Sequence, residues 1–399
     1  MRLPVLFILV TVMLDAMGIG LIMPIMPDLI REVHGGDLAN AAIWGGVLST
    51  VFAVMQFLFS PVVGNLSDRF GRRPVLLVSL AAMALDYLVM ALAGSIWLLL
   101  AGRIVGGVTA ATHATANAYM ADLSEPHEKA ANFGLVGAGF GIGFVLGPLV
   151  GGLLGEWGTR APFHAAAALS ALNFVFGLLV MGETVTDRTR RAFTWARANP
   201  SGSFRAVARL PGLKPLLAVY FIYSVALYVY PAIWAYFTQE RFGWGAQMIG
   251  LSLGLFGIAM ALVQGGLIRV VLRHFGERFA VIWGQVIDGV AMAGLTVITS
   301  GTLALILTPL SALGAVAAPA LQGIMARRVS DDAQGELQGV LNSVHALSMI
   351  VSPLLMAWVF AAFTGNGAPV YLPGAPFLVA LVLLVLGLVI FLRSEADAP

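Results

Sequence analysis

Long apolar segments free of charge constrain this chain more than any other feature of its sequence. The segment 376–392 contains no charged residue, and comparable segments recur along the chain. In a bilayer core no water is present to bind exposed N–H and C=O groups, so only helices and closed barrels can span it. Barrel strands alternate apolar and polar residues over about ten positions, whereas these segments are apolar throughout. The sequence therefore predicts an all-α membrane protein.

The composition leaves room for roughly a dozen spanning helices of about 20 residues each. Hydrophobic residues make up 59% of the 399 residues and charged residues only 11%, against about 25% charged in soluble domains. The absence of cysteine excludes disulfides and thiolate metal sites. We predict twelve spans, at 4–29, 42–63, 74–93, 96–120, 132–155, 162–182, 214–237, 247–271, 279–299, 301–326, 336–362 and 372–393.

A basic segment separates the spans into two sets of six. We predict an N-terminal six-helix bundle at 1–182, a cytoplasmic linker at 183–213 and a C-terminal six-helix bundle at 214–399. Counted by alternate loops, 18 Lys and Arg residues share the side of both termini and three lie on the other. Cytoplasmic loops carry the excess of basic residues, so we expect both termini in the cytoplasm. The linker arginines are Arg188, Arg190, Arg191, Arg197, Arg205 and Arg209.

The most specific motif is GNLSDRFGRRP at 64–74, between spans two and three. Its glycines allow a tight crossing, and its arginines hold the loop at the anionic inner membrane surface. A weaker copy ends span eight, with Gly276 placed 205 residues after Gly71. A repeated six-helix unit is typical of one large class of transporters. The alternative is a basic loop that only sets topology.

Four ionisable residues lie within predicted spans: Asp15, Asp86, Arg103 and Asp288. Each would cost roughly 2.5–3.5 kcal/mol on insertion scales if it were unpaired at mid-bilayer, so such residues pair or titrate. A carboxylate in a low-dielectric cavity can take up a proton near neutral pH and release it when an arginine or water approaches. Protons would then compete with a cationic or metal-bound substrate for the same negative charge. The alternative for each residue is a satisfied buried group, or for Arg103 a side chain that reaches the interface.

These motifs resemble those of the major facilitator superfamily, and within it the bacterial tetracycline–proton antiporters. The segment at 64–74 resembles motif A, the segment from Ala101 resembles motif B, and the glycine-rich span five resembles motif C, which marks antiporters. The similarity covers nearly the whole chain apart from the linker and the ends. Further segments that carry it are LDAMGIGLIMP at 14–24, LDYL at 85–88, ERFGW at 240–244, PALQG at 319–323 and QGELQGVLNS at 334–343.

The resemblance implies a role for each matched residue. The proton-coupling residues would be Asp15, Asp86, Asp288 and Arg103. A gating loop would contain Gly64, Ser67, Asp68, Arg69, Gly71, Arg72 and Arg73. The antiporter motif would contain Gly137, Gly141, Gly147, Pro148, Gly151 and Gly152. The sequence departs from the family at Met260, where those pumps commonly carry a histidine, and His113, Asn117 and His345 match no functional position.

Polar and aromatic residues within the spans are candidates for orienting an amphipathic ligand. They are His113, Asn117, Tyr228, Trp234, Gln264, Gln285, Gln322 and Asn342. Span seven is crowded with Tyr220, Tyr223, Tyr228, Tyr230 and Trp234. A ligand-stacking wall and an interfacial aromatic belt are equally good interpretations of these residues. For His113 and His345 we favour satisfied core residues.

The resemblance implies export of a metal–tetracycline chelate in exchange for a proton, by a major facilitator fold in the bacterial inner membrane. We expect a monomer with no resident cofactor or metal and no nucleic-acid partner; a divalent metal would enter only with the chelate. Export of other drugs or of a metabolite is the nearest alternative. A membrane-embedded aspartyl enzyme is the alternative from another class, although the three acids lack the paired Gly-Asp setting it needs. No P-loop indicates an ATP-driven pump.

Overall fold

The computed structural model of the chain describes residues 3–110, 112–125, 127–187, 190–195, 199, 212–330 and 333–396. Within these ranges all regular structure is helical, which confirms the predicted class. Arg188, Arg197, Arg205 and Arg209 of the predicted linker and the side chain of His113 lie outside this description.

The helices of the N-terminal part are α1 (Leu3–Ile22), α2 (Met26–His34), α3 (Leu38–Phe70), α4 (Arg72–Leu92), α5 (Ile96–Thr109), α6 (Thr112–Leu123), α7 (Lys129–Gly155) and α8 (Ala161–Val180). Those of the C-terminal part are α9 (Lys214–Leu227), α10 (Val229–Phe242), α11 (Ala246–Leu262), α12 (Ile268–Val297), α13 (Gly301–Ser311), α14 (Ala317–Arg327), α15 (Gln334–Thr364) and α16 (Ala375–Ala396). A π-helical turn at Val263–Leu267 joins α11 to α12, and a 3-10 turn at Ala312–Val316 joins α13 to α14.

The described helices account for twelve spans. Eleven helical stretches of the described chain are long and apolar enough to cross a membrane. One of them, Ala246–Val297, has 52 residues, about twice the length that one crossing needs. It is interrupted at Gly276, whose φ of 78° and ψ of 173° are not helical. Two spans therefore occupy this stretch, which confirms the twelve-helix prediction.

The predicted loop at 64–74 is helical except at one residue. The helix α3 continues to Phe70 and α4 begins at Arg72. Only Gly71 leaves the helical conformation, with a φ of +112° that glycine alone adopts readily. A drop in hydropathy marks where a span leaves the lipid, whereas a helix ends where its backbone hydrogen bonds end. The helix α3 therefore extends beyond its apolar part. Six of the seven residues predicted for the gating loop are therefore helical: Gly64, Ser67, Asp68, Arg69, Arg72 and Arg73.

The chain forms two compact units. The first comprises Met1–Gly35, Val51–Pro200 and Gly245–Gly254, and the second Gly36–Thr50, Ser201–Trp244 and Leu255–Pro399. In the first unit α1 packs along α7 and α4 packs along α8. In the second unit α9 packs against α16, and α12 packs against both α14 and α16. The linker boundaries at 183 and 213 stay a prediction.

Three glycines spaced four residues apart bring α7 against α1. A Cβ at Gly143, Gly147 or Gly151 would run into the backbone of α1. The facing carbonyl groups belong to Met13, Met17 and Leu21. Small residues allow this close approach, which is how helices gain packing energy in a membrane. Of the predicted antiporter motif, Gly147 and Gly151 make this contact, Pro148 lies against Gly20 of α1, and Gly152 packs against Gly250 in the same unit.

The structure allows a matched test of this packing, because the space at Gly137 and Gly141 is open within 4 Å. We expect Gly143→Ala to lower the melting temperature in detergent by several degrees, since the added Cβ overlaps Met13 O and overpacking costs about 1–3 kcal/mol. Gly141→Ala, the same change half a turn away, should leave the melting temperature unchanged or raised. Equal destabilisation by the two variants would contradict the packing described for α7.

Candidate functional site

An ion pair lies between α4 and α5 inside the first unit. Arg103 Nη2 donates to Asp86 Oδ2 over 2.8 Å, with side chains 11% and 3% exposed. The guanidinium also lies 5.1 Å from the centre of the Phe52 ring, a cation–π contact. Two charges that are expensive within a span thereby offset one another. Two of the four predicted membrane charges are thus brought together.

Two glycines of α5 make room for the Asp86 carboxylate. A Cβ at Gly106 would lie 2.5 Å from Asp86 Oδ2, and one at Gly102 would lie 2.8 Å from Oδ1. These glycines are four residues apart, so they share one face of α5. Within the described chain, Asp86 Oδ1 and Arg103 Nε have no hydrogen-bond partner. The pair therefore keeps a free acceptor and a free donor for a further ligand or water.

Tyr87 connects this ion pair to Asp15. Its hydroxyl reaches from α4 to α1 and lies against Gly18, three residues after Asp15. The same side chain is within electrostatic reach of Asp15, Asp86 and Arg103. Tyr87 is therefore a residue on which the three predicted ionisable residues of the first unit all act electrostatically.

Asp288 of α12 has a different environment in the second unit. It is 2% exposed, and no salt bridge to it occurs among the described residues. Instead, the Tyr223 hydroxyl of α9 donates to Asp288 Oδ2 over 2.9 Å. Gly314 of the 3-10 turn faces the carboxyl group, which occupies the place of a Cβ there. The carboxylate therefore has a neutral donor and a glycine wall as its nearest described neighbours.

A second charged cluster lies at the α3–α4 junction, in the predicted gating segment. Arg72 Nη1 lies 2.6 Å from Asp68 Oδ1 and donates to Ser67 Oγ over 2.6 Å. Its Nε donates to Asp122 Oδ2 of α6 over 3.3 Å. Arg72 therefore ties the end of α3 to the end of α6.

Glu183 caps the beginning of α4 from more than a hundred residues away. Its Oε1 accepts from the backbone N–H of Arg72 over 2.9 Å, and its Oε2 accepts from that of Arg73 over 3.2 Å. The first N–H groups of a helix lack partners within it and carry a partial positive charge. Glu183 satisfies two of them and lies where a Cβ at Gly71 would be. Arg73 in turn donates to the Leu178 carbonyl oxygen over 3.1 Å.

The salt bridge of Arg72 with Asp122, here called the junction clasp, has a counterpart in the second unit with the two charges exchanged. Glu277 follows Arg72 by 205 residues and Arg327 follows Asp122 by 205 residues. Arg327 donates from Nη1 and Nη2 to the two carboxylate oxygens of Glu277 and forms an ion pair with it. The preceding glycine, Gly276, has a positive φ as Gly71 has. The internal repeat thus preserves a helix break followed by a salt bridge between two helices.

Comparisons with known proteins identify the family. The Major Facilitator Superfamily model matches residues 8–301 and 216–399. The chain belongs to the major facilitator superfamily. It is 44% identical to the tetracycline resistance protein, class C, of Escherichia coli over 94% of both chains, and 40% identical to the class E protein of that organism over 95% and 94%. A bacterial homologue of the human lysosomal transporter Spinster has the same fold, with a TM-score of 0.80, 17% identity and coverage of 99% and 96%.

As a major facilitator superfamily member, the chain is a multi-pass membrane protein related to small-molecule transporters. Its predicted ligand-binding residues have diverse environments. Gln285 is 3% exposed, and neither atom of its amide has a partner among the described residues. Gln322 donates to the Tyr220 hydroxyl over 3.2 Å. Trp234 is 1% exposed and packs among the rings of Tyr230, Phe237, Trp244 and Phe377.

The remaining predicted positions are less enclosed. Asn117 and Tyr228 are half-buried, whereas Gln264 and Asn342 are exposed. Gln264 lies in the π-helical turn, a feature that is frequent at functional sites. Met260 is half-buried at the end of α11 before this turn.

Several site residues escaped sequence analysis. Tyr87 is adjacent to Asp86, and the only signal for it was a polar group beside a membrane acid. Tyr223 was recognised only as one of the aromatic residues of span seven. Nothing in the sequence indicates that Glu183 reaches Arg72, because no periodicity spans that separation. The salt bridge of Arg72 with Asp122 is equally hidden.

We expect Arg103→Gln to destabilise the protein by about 3 kcal/mol, because it leaves the buried Asp86 carboxylate without a countercharge. The double variant with Asp86→Asn should recover much of the loss, since both charges are then gone. Thermal unfolding in one detergent would provide the comparison. A double variant no more stable than Arg103→Gln would contradict the pairing.

Glu183→Ala should free the first N–H groups of α4. We expect the amide hydrogens of Arg72 and Arg73 to exchange with solvent about ten-fold faster. This corresponds to a loss of about 1.4 kcal/mol in the free energy with which the cap stabilises the start of α4. Glu183→Gln keeps an acceptor oxygen and should give an intermediate rate. Hydrogen exchange followed by mass spectrometry measures both, and unchanged rates in Glu183→Ala would overturn the cap.

Proposed function

We propose that this chain is a tetracycline exporter that exchanges a metal–tetracycline chelate for a proton by alternating access. The identity of 44% to the class C tetracycline resistance protein over 94% of the chain is the observation that carries the proposal. Carboxylates within the spans of both units support it, because antiport of a cation against a proton requires a negative group that can bind either one in turn. Both termini would lie in the cytoplasm of a bacterium, with the chain in its inner membrane.

The membrane acids would divide the coupling between them. Asp86 is fixed to Arg103, which stays protonated at any physiological pH, so this pair is suited to organising the site. Asp15 and Asp288 have no such cation among their described neighbours and are suited to binding either a proton or the cationic chelate. Binding of a proton or of the chelate would neutralise the carboxylate and so permit the change between inward and outward access. An unpaired carboxylate would be costly in free energy once the site closes and excludes water.

The remaining predicted residues would position the substrate and control access. The junction residues Ser67, Asp68 and Arg72 would stabilise one conformation through the clasp to Asp122. The glycines of α7 and Pro148 would let α7 stay packed on α1 as access alternates. The polar residues would orient the drug: His113, Asn117, Tyr228, Trp234, Gln264, Gln285, Gln322 and Asn342.

The energy would come from the proton gradient, with a monomer as the working unit and no resident cofactor or metal. A divalent metal would enter as part of the cargo. We infer a transporter rather than an enzyme. Met260 stands where the resemblance implies a histidine, and a methionine side chain cannot bind a proton or a hard metal ion. This favours a second candidate, an exporter of the same superfamily with a different or broader range of drugs.

Transport into inverted vesicles tests the proposal. An imposed pH gradient should drive uptake of tetracycline with Mg²⁺ by the parent chain, and Asp15→Asn or Asp288→Asn should reduce it to the level of empty vesicles. Asp187→Asn is a matched control, because this carboxylate is 99% exposed and outside the spans. Loss of the gradient by an ionophore should abolish uptake in the parent.

The contrary outcome is uptake by Asp15→Asn and Asp288→Asn equal to that of the parent, or no gradient-driven uptake by the parent. Drug susceptibility of an expressing strain separates the two candidate substrates. Resistance to tetracyclines alone supports the narrow function. Resistance to unrelated cationic dyes as well supports the second candidate.

A further inference from the structure

The two units hold membrane carboxylates at similar places, in the third span of each six-helix set. Asp86 lies in the third span and Asp288 in the ninth, 202 residues apart. Each carboxyl group faces a glycine of the following span, Gly106 or Gly314, and these glycines are 208 residues apart. Each acid therefore has a glycine wall within three residues of the 205-residue register, and the two acids differ in the side chain that each one meets.

That side chain is a cation in the first unit and a phenol in the second. The Arg103 guanidinium neutralises Asp86 whatever the pH, because it cannot lose its proton there. The Tyr223 hydroxyl donates to Asp288 over 2.9 Å but brings no charge. Neutrality at Asp288 therefore depends on a proton or a cationic ligand, and the hydroxyl determines how well the ionised form is supported.

Among the residues that the structure describes, none with a charge pairs with Asp288 in competition with this hydroxyl. From α9 the titratable groups are Tyr220 and Tyr223, and from α10 the group is Tyr230, which is within electrostatic reach of Asp288. The 3-10 turn contributes Gly314, and α12 itself contributes the neutral Gln285 one turn earlier. The charged residues of the packed helices lie at helix ends or around the break at Gly276. They are Lys214 of α9, Arg327 of α14, Arg269, Arg273, Glu277 and Arg278 of α12, and Arg393 and Glu395 of α16.

We propose that Tyr223 is a positioning residue that sets the pH at which Asp288 releases the coupling proton. This inference rests on the proposed antiport. When Asp288 loses its proton, the hydroxyl donates to the new carboxylate and holds Oδ2 toward α9. Hydrogen bonds to ionised groups are stronger than those to neutral ones, so the contact favours release. The proton moves between Asp288 and water or cargo, and Tyr223 keeps its own.

The test is the pH dependence of drug–proton exchange in proteoliposomes made from the full-length protein. Tyr223→Phe removes only the donor, which makes the ionised carboxylate harder to form. We expect the midpoint of the transport profile to move to higher pH by about one unit, the size of one hydrogen bond to a charged group. Gly314→Ala, which pushes the carboxylate from its place, should move the midpoint in the same direction.

Tyr220→Phe is the matched control, because it removes a hydroxyl one turn away that bonds Gln322 rather than Asp288. Its midpoint should stay at the parental value even if its affinity for drug changes. A lower maximal rate in Tyr223→Phe with an unchanged midpoint would overturn the inference and indicate a packing role. Absence of drug-driven proton movement in the parent would instead overturn the proposed antiport, so the two failures are distinguishable.

Discussion

The absence of water from the bilayer core is the constraint on which the rest of this structure depends. Backbone groups meet it by forming helices, and charged side chains meet it by finding a partner within the protein. The described chain shows two solutions for a carboxylate within a span. Asp86 has a permanent cation, Arg103, at 2.8 Å. Asp288 has only a phenol hydroxyl at 2.9 Å, so its charge must be balanced by something that comes and goes.

Glycine makes both solutions possible, since a buried carboxylate needs room as well as a partner. Gly102 and Gly106 admit Asp86, and Gly314 admits Asp288. The same residue type brings α7 against α1 through Gly143 and its neighbours along the helix. Lipid tails are as apolar as leucine, so helices in a membrane associate through close packing rather than burial of apolar surface. Glycine-rich spans therefore serve both packing and charge placement here.

Much of this architecture could be predicted from the sequence, because hydropathy directly reports exposure to lipid. The twelve spans follow from apolar runs, and the membrane acids stand out against them. Hydropathy does not report where a helix ends, so Asp68 was predicted in a loop although α3 continues to Phe70. Contacts between distant segments have no periodic signal. Glu183 could therefore not be matched to the N–H groups of Arg72 before the structure placed them at 2.9 Å.

The internal repeat shows what the fold requires at the helix junctions. Arg72 pairs with Asp122 in the first unit, and Glu277 pairs with Arg327 in the second. The positions correspond at a separation of 205 residues, yet the signs of the charges are reversed. Attraction between two side chains is the same in either order, so a clasp of this kind constrains the pair rather than either residue. A motif defined by residue identity therefore recognises the junction at Gly71 readily and the one at Gly276 only weakly. At both junctions, however, the first residue of the pair follows a glycine with positive φ.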